Sequence, residues 1–210
     1  MCSIIGSFSK QKFKELVELN QHRGSFSYSF LVLDPENLQT VFLEQNFGKF
    51  NVSSLQNSPN GMFYLGHCQA PTGGLIEDPN RIHPAQIETS FLFHNGIIKQ
   101  KDVLRLQNEH KTSDGWDSKL MLQEIQKIGL METLNTIDGS FACVFNDRKK
   151  LRIFRSAAGT LFIDDELNIS STKFDKAQRI EKDTVYHLDL LHKYVIIENK
   201  FKSKSNPYFY

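Results

Sequence analysis

The sequence predicts a single α+β domain that is rich in strands and has a pair of helices near its middle. Three observations lead to this prediction. A buried strand begins almost at the chain start, aromatic and β-branched segments alternate with turn residues, and two central stretches have apolar residues at helical spacing. The chain has 210 residues, 40% of them apolar and 17 of them Phe, which is enough for one sizeable core.

The first two elements are a strand over residues 2–8 and a helix from Lys10 to about His22. The strand is short and β-rich, and it ends before a Ser-Lys pair. In the helix, Phe13, Leu16, Val17 and Leu19 recur at helical spacing, and Ser9 can cap the first turn.

Antiparallel strands are predicted next, over residues 25–33, 40–43 and 61–68, because turn-forming segments separate them. Residues 70–86 hold three of the six prolines and are interpreted as a long loop. A further strand over 89–93 is expected to stop in a sharp turn at His94-Asn95-Gly96, since Asn-Gly favours positive φ.

In the rest of the chain, the apolar pattern predicts helices over residues 102–107 and 117–128, and strands after them. No linker divides the chain, so residues 1–210 are treated as one domain, with about 198–210 as a possible docking tail. The predicted strands cover residues 140–145, 151–155, 167–170, 185–188 and 194–197.

Charge and composition exclude several classes of function. Lys and Arg number 25 against 24 Asp and Glu, a net charge of +1, which argues against binding to nucleic acid or to a membrane surface. No apolar run approaches a membrane span, and the amino terminus lacks a signal peptide. The three cysteines are few and form no C-x-x-C pair, so a reducing, cytoplasmic location is expected. The seven histidines are not spaced as metal ligands, so no metal is expected.

Cys2 is the first candidate for chemistry. A lone cysteine is most often a small buried hydrophobe. Removal of Met1, however, would leave Cys2 with a free α-amine, a base of pKa near 8, beside its own thiol. Nucleophile and general base would then belong to one residue.

The segment Cys2-Ser3-Ile4-Ile5-Gly6 resembles the opening of class II glutamine amidotransferases. These are the N-terminal-nucleophile glutaminases of glucosamine-6-phosphate synthase, amidophosphoribosyltransferase and asparagine synthetase B. Further matches follow in family order to about Gly159. They are His22-Arg23-Gly24, Gly66-His67-Cys68-Gln69, His83-Pro84, His94-Asn95-Gly96-Ile97-Ile98, Asp117-Ser118, Asp138-Gly139-Ser140-Phe141-Ala142 and a looser echo from Arg155 to Gly159.

The resemblance implies a four-layer αββα sandwich of N-terminal-nucleophile hydrolase type and hydrolysis of the side-chain amide of L-glutamine without a cofactor. Cys2 would be the nucleophile and its α-amine the base, while Asn95 and Gly96 would form the oxyanion hole. Asp117 would receive the substrate α-ammonium, with Asp114 as a fallback. On sequence alone, Asn-Gly is more often a turn, and Asp117 an ordinary helix-capping acid.

Gln69 departs from the family pattern. Relatives usually carry arginine at this position, and its guanidinium holds the substrate α-carboxylate. Glutamine offers only a neutral contact, so Arg23 or Arg81 is considered as a replacement cation. Gln69, His67 and Arg23, with Asp117, are the candidate substrate-binding residues, although Arg23 lies in a turn that looks structural in the family and Arg81 lies in a surface-like loop. Asp138, Gly139 and Arg155 match structural positions of the family.

Two other functions remain open at this stage. The chain could hydrolyse a different γ-glutamyl amide, or it could be a catalytically silent scaffold subunit. For an active glutaminase, the expected partner is a separate synthase subunit that accepts ammonia. The lysine and aromatic tail over residues 200–210 is a candidate contact with that subunit.

Overall fold

The computed structural model describes residues 2–70 and 78–204, and the fold is given for these residues. They form thirteen strands, four α-helices and three short 3₁₀ helices. The strands build two antiparallel sheets that lie face to face with helices outside. The predicted α+β sandwich is therefore confirmed.

The elements follow the chain in the predicted order. The helices are α1 (Lys10–Asn20), α2 (Gln100–His110), α3 (Asp117–Ile128) and α4 (Leu130–Thr136). The strands are β1 (Ser3–Ser7), β2 (Ser27–Leu33), β3 (Thr40–Phe47), β4 (Phe63–Gln69), β5 (Ala85–Ile87), β6 (Ser90–Ile98), β7 (Gly139–Asn146), β8 (Leu151–Arg155), β9 (Phe162–Ile163), β10 (Ile169–Ser170), β11 (Gln178–Arg179), β12 (Thr184–Asp189) and β13 (Tyr194–Lys200).

The first sheet has seven strands in the order β11-β9-β10-β1-β4-β2-β3. The amino-terminal strand β1 is thus central: Ser3 pairs with Cys68 of β4, and Ile5 pairs with Ser170 of β10. The helix α1 packs on the outer face of this sheet through Phe13 and its neighbours, and Ser9 caps it as predicted.

The second sheet has six strands in the order β13-β12-β8-β7-β6-β5. Apolar side chains of both sheets, such as Ile4, Leu65, Phe93 and Val144, fill the space between them. The outer face of the second sheet is covered by α2, α3 and α4. This arrangement gives the four layers that the resemblance implied.

The predicted turn at His94-Asn95-Gly96 is wrong. The strand β6 runs through these residues to Ile98, and Asn95 and Gly96 pair with Ala142 and Phe141 of β7. Tertiary pairing with β7 overrides the local preference of Asn-Gly for a turn. As a result, both residues are held on a rigid strand instead of a loop.

Other differences concern lengths and short elements. The strand β3 extends four residues beyond the predicted end at Leu43, and α2 is longer at both ends. The helix α4 and the two-residue strands β9 and β11 carry too little periodicity to be predicted. Of the predicted loop over 70–86, residues 71–77 lie outside the described residues, while Pro79–Arg81 forms a 3₁₀ helix and Ala85 begins β5.

The chain after β13 lies against the domain as far as it is described. The Phe201 ring is buried and stacks on Phe141 at 6.2 Å between ring centroids. The Lys202 backbone N–H donates to the Asn135 side chain at 3.1 Å. Residues 200–204 of the predicted docking tail are therefore anchored to their own domain, and 205–210 lie outside the described residues.

Arg155 is structural, as the motif comparison indicated. Its guanidinium donates to four backbone carbonyls, of Ile180, Ser156, Ala157 and Gly159, at 2.8 to 3.3 Å.

Within the described ranges, no helix combines the length and apolarity needed to cross a membrane.

Candidate active site

A cavity of about 320 Å³ contains most of the predicted site residues. Cys2, Gln69, Gly96 and Asp117 line it, together with Arg81. A larger groove of about 610 Å³ runs beside α3 and α4, but none of its lining residues is a cysteine or histidine. The smaller cavity is therefore the candidate active site.

Cys2 immediately precedes β1, and its thiol lies against the end of β4. The sulfur Sγ is 3.3 Å from the Ala70 carbonyl oxygen and 3.4 Å from the Ala70 backbone nitrogen. The Arg23 Nε donates to the Cys2 carbonyl at 3.0 Å, which fixes the Cys2 backbone. Burial raises the pKa of the Cys2 thiol, so its reactivity depends on a nearby base.

Gly96 brings a strand backbone unusually close to its neighbour. A Cβ atom at this position would lie 1.9 Å from the Ser140 carbonyl oxygen, which no side chain can tolerate. Glycine is therefore required here by the packing of β6 against β7. Gly96 is also one of the residues that line the cavity.

Asn95 is buried next to the cavity and is oriented by Ser171. The Asn95 Nδ2 donates to Ser171 Oγ at 3.1 Å, and the same oxygen accepts the Ile4 backbone N–H at 2.9 Å. One hydroxyl thus connects the strand that carries the nucleophile with the strand that carries Asn95. An amide nitrogen has two N–H groups, so this bond accounts for only one of them.

Replacing Ser171 by alanine is expected to lower turnover by about tenfold with little change in KM, because Asn95 loses the bond that sets its orientation. The comparison uses Ser7→Ala. This change removes another buried serine, which lies on β1 and donates to the Asn168 side chain at 2.6 Å. Steady-state kinetics of both variants test this. Equal effects on kcat would show that Ser171 serves stability alone.

Asp117 begins α3 and points at the end of β6. Its Oδ2 accepts the Ile98 backbone N–H at 3.2 Å, and its Oδ1 accepts the Ser118 backbone N–H at 2.8 Å. The carboxylate is thus fixed in the cavity wall with part of its surface exposed. A fixed, accessible carboxylate suits the binding of an ammonium group.

The fallback residue Asp114 does not line the cavity, because its carboxylate is committed elsewhere. Its Oδ1 pairs with Arg81 Nη2 at 3.1 Å and also accepts the Trp116 backbone N–H at 3.0 Å. The geometry thus favours Asp117 over Asp114.

Gln69 lies on the cavity wall with both ends of its amide bonded. The oxygen accepts the Ser27 hydroxyl at 2.8 Å, and the nitrogen donates to the Arg81 carbonyl at 3.3 Å. Of the two cations considered from the sequence, Arg81 lines the cavity, whereas Arg23 donates to the Cys2 backbone carbonyl.

His67 lies behind the cavity and not on its wall, which corrects its assignment to substrate binding. The ring is buried between the sheets, with its centroid 4.0 Å from that of His83, and Nε2 is 3.3 Å from the His94 carbonyl oxygen. Burial lowers the pKa of His67 to about 3, so the ring is neutral.

Some residues at the site gave no signal in the sequence. Ser171 follows the two-residue strand β10 and lies 76 positions after Asn95 in the sequence. Trp116 packs edge-on against His83 in the cavity wall. Neither belongs to a recognisable motif. Among the residues described, no cluster of His, Cys, Asp and Glu could hold a metal.

The fold is shared with solved amidotransferases. A glutamine phosphoribosylpyrophosphate (PRPP) amidotransferase from B. subtilis, complexed with ADP and GMP, has a TM-score of 0.64 at 17% identity over 89% of this chain. An allosteric regulatory enzyme of purine biosynthesis has a TM-score of 0.67 at 16% identity over 90%. The match covers 47% of each of those chains, so this chain spans about half their length.

No protein-family model matches the sequence, and no curated protein does. At these identities, the structural likeness establishes the fold. It is the N-terminal-nucleophile hydrolase fold that the motif resemblance implied.

Proposed function

We propose that this chain is a glutaminase of the class II amidotransferase type, which hydrolyses the side-chain amide of L-glutamine through Cys2. One observation carries the proposal. In a fold shared with solved amidotransferases, the Cys2 thiol, Gly96 and Asp117 line a single cavity, and Asn95 adjoins it.

In the proposed reaction, the Cys2 α-amine, exposed by removal of Met1, takes the thiol proton directly or through a water. The raised pKa of the thiol makes such a base necessary at neutral pH. The thiolate then attacks the γ-amide carbon, and the amine returns the proton to the leaving nitrogen. Ammonia departs, and water hydrolyses the γ-glutamyl thioester to glutamate.

The negative charge on the amide oxygen during attack would be met by Asn95 and Gly96. The second N–H of the Asn95 side chain and the Gly96 backbone N–H are the proposed donors. Both sit on β6, which is paired along its length with β7, so they need no reorganisation during the reaction. Preorganised donors of this kind stabilise the anion more than water does.

The test is direct. Purified protein whose intact mass shows the loss of Met1 should release glutamate and ammonia in equal amounts from L-glutamine. Protein that retains Met1 should be inactive, because its Cys2 nitrogen is an amide and cannot act as a base. Absence of hydrolysis by the processed protein would favour the scaffold alternative.

Asp117→Asn is expected to raise KM for glutamine by about ten- to hundredfold with a smaller change in kcat. The reason is that a charge-assisted contact with the α-ammonium becomes a neutral one. Asp34→Asn, in the turn between β2 and β3, removes the same charge away from the cavity and should leave KM unchanged. A loss confined to kcat would contradict the substrate role of Asp117.

The ammonia acceptor is proposed to lie on a separate synthase subunit in the cytoplasm. Support for a coupled acceptor comes from the likeness in fold to a solved PRPP amidotransferase, whose name states transfer to a second substrate. Glutaminase activity of the isolated chain should be low and should rise when the subunit is added. Full activity alone, with no partner recovered from the native cell, would argue for a free-standing hydrolase.

A further inference from the structure

The charges on the cavity wall lead to an assignment beyond the nucleophile. Of the described residues, Asp78, Arg81 and Asp117 are the charged ones that line this cavity. An amino acid whose side chain reaches Cys2 presents both an ammonium and a carboxylate to these walls. We propose that Arg81 binds the substrate α-carboxylate; this inference rests on the proposed glutaminase function.

The Arg81 guanidinium is held in place by two carboxylates. Its Nη2 is 3.1 Å from Asp114 Oδ1, and its Nε is 3.6 Å from Asp78 Oδ2. A guanidinium has five N–H donors in a planar fork, and only the contact with Asp114 is within hydrogen-bond distance, so donors remain for the substrate carboxylate. The side chain is 41% exposed, which keeps it accessible to a ligand.

The backbone of Arg81 is fixed by the glutamine that replaces the family arginine. Gln69 Nε2 donates to the Arg81 carbonyl at 3.3 Å, while Ser27 holds the other end of the Gln69 amide at 2.8 Å. Arg81 also ends a 3₁₀ turn that the Asp78 side chain caps through Asn80 N–H at 2.9 Å. Gln69 is thus a positioning residue for Arg81. The positive charge that we assign to the substrate carboxylate lies on the 3₁₀ turn and not on β4.

This arrangement sets the substrate class. A guanidinium beside the cavity selects compounds with a free α-carboxylate, and Asp117 on the wall selects a free α-ammonium. Free glutamine and γ-glutamyl amides with an unmodified amino-acid end satisfy both. Glutamine within a peptide chain satisfies neither, because its α-groups are uncharged amides.

The experiment compares L-glutamine with its alcohol analogue, in which CH₂OH replaces the α-carboxylate. Arg81→Gln should lower kcat/KM for glutamine by about ten- to hundredfold, mainly through KM, and leave the alcohol unchanged. Arg81→Lys, which keeps the charge but not the fork, should fall between. Arg148→Gln removes an arginine from the β7–β8 turn as the matched control.

The outcomes separate this inference from the function on which it rests. Equal losses on both substrates would mean that Arg81 is structural, and no loss would mean that the carboxylate is bound elsewhere. Either result overturns the assignment while glutamine hydrolysis by the unmodified protein stands. If the processed protein hydrolyses neither substrate and glutamine-like electrophiles leave Cys2 unlabelled, the proposed function fails and the role of Arg81 fails with it.

Discussion

Cys2→Ala is expected to abolish glutamine hydrolysis, since this change removes the sulfur that forms the thioester. Cys2→Ser should retain at most a trace, because a hydroxyl is a far weaker nucleophile than a thiolate. Release of ammonia from L-glutamine measures both variants. The small buried side chain contributes little to the core, so thermal unfolding should change by no more than a few degrees.

Covalent labelling provides the control for Cys2. A glutamine-like electrophile such as diazo-oxonorleucine should modify Cys2 in the processed protein and spare Cys68 and Cys143. Those two thiols are buried, and burial raises the pKa of both, to about 12 for Cys68. Modification of Cys68 or Cys143 with Cys2 untouched would contradict the assignment of the nucleophile.

Asn95→Ala is expected to lower kcat by roughly a hundred- to a thousandfold, the usual effect of losing one oxyanion donor. That loss corresponds to about 3 to 4 kcal/mol in the transition state. The single hydrogen bond to Ser171 that also disappears is worth only about 0.5 to 1.5 kcal/mol of stability. Asn95→Ala should therefore lose much more transition-state stabilisation than free energy of unfolding.

The matched control is Asn146→Ala. Asn146 is also a fully buried strand asparagine, and its side chain donates to the Leu38 carbonyl at 3.0 Å, but it lies outside the cavity. Asn146→Ala, which also removes the acceptor of the Arg148 backbone N–H, should lower the free energy of unfolding at least as much as Asn95→Ala and leave kcat unchanged. Similar kcat values for the two variants would remove Asn95 from the oxyanion site.

Element type was predictable wherever local patterning and tertiary packing agree. The helix α1 has a capping serine and an apolar stripe that packs on the first sheet, so pattern and burial coincide. The prediction failed at Asn95-Gly96, where the local signal favours a turn but pairing with β7 favours a strand. The two-residue strands β9 and β11 are too short to show a pattern of their own, and they are defined by their pairing, β9 with β10 and β11 with β9.

The residues of the candidate site were predictable where a motif carries them. Cys2, Gly96 and Asp117 line the cavity. His67 lies on the same face of β4 as Gln69, two residues away, but it is buried deeper between the sheets against His83 and Phe93. Ser171 could not be predicted, since a serine at a strand end is common and its partners lie far away along the chain. Three-dimensional packing alone gives that residue a role.

The central position of β1 has a consequence for the order of events during synthesis. This strand is synthesised long before one of its two neighbours, β10, which consists of Ile169–Ser170. At typical elongation rates of about 5 to 20 residues per second, roughly ten to thirty seconds separate the two. Throughout that interval β1 lacks one of its two partner strands, so the sheet around the proposed nucleophile is completed only late in synthesis.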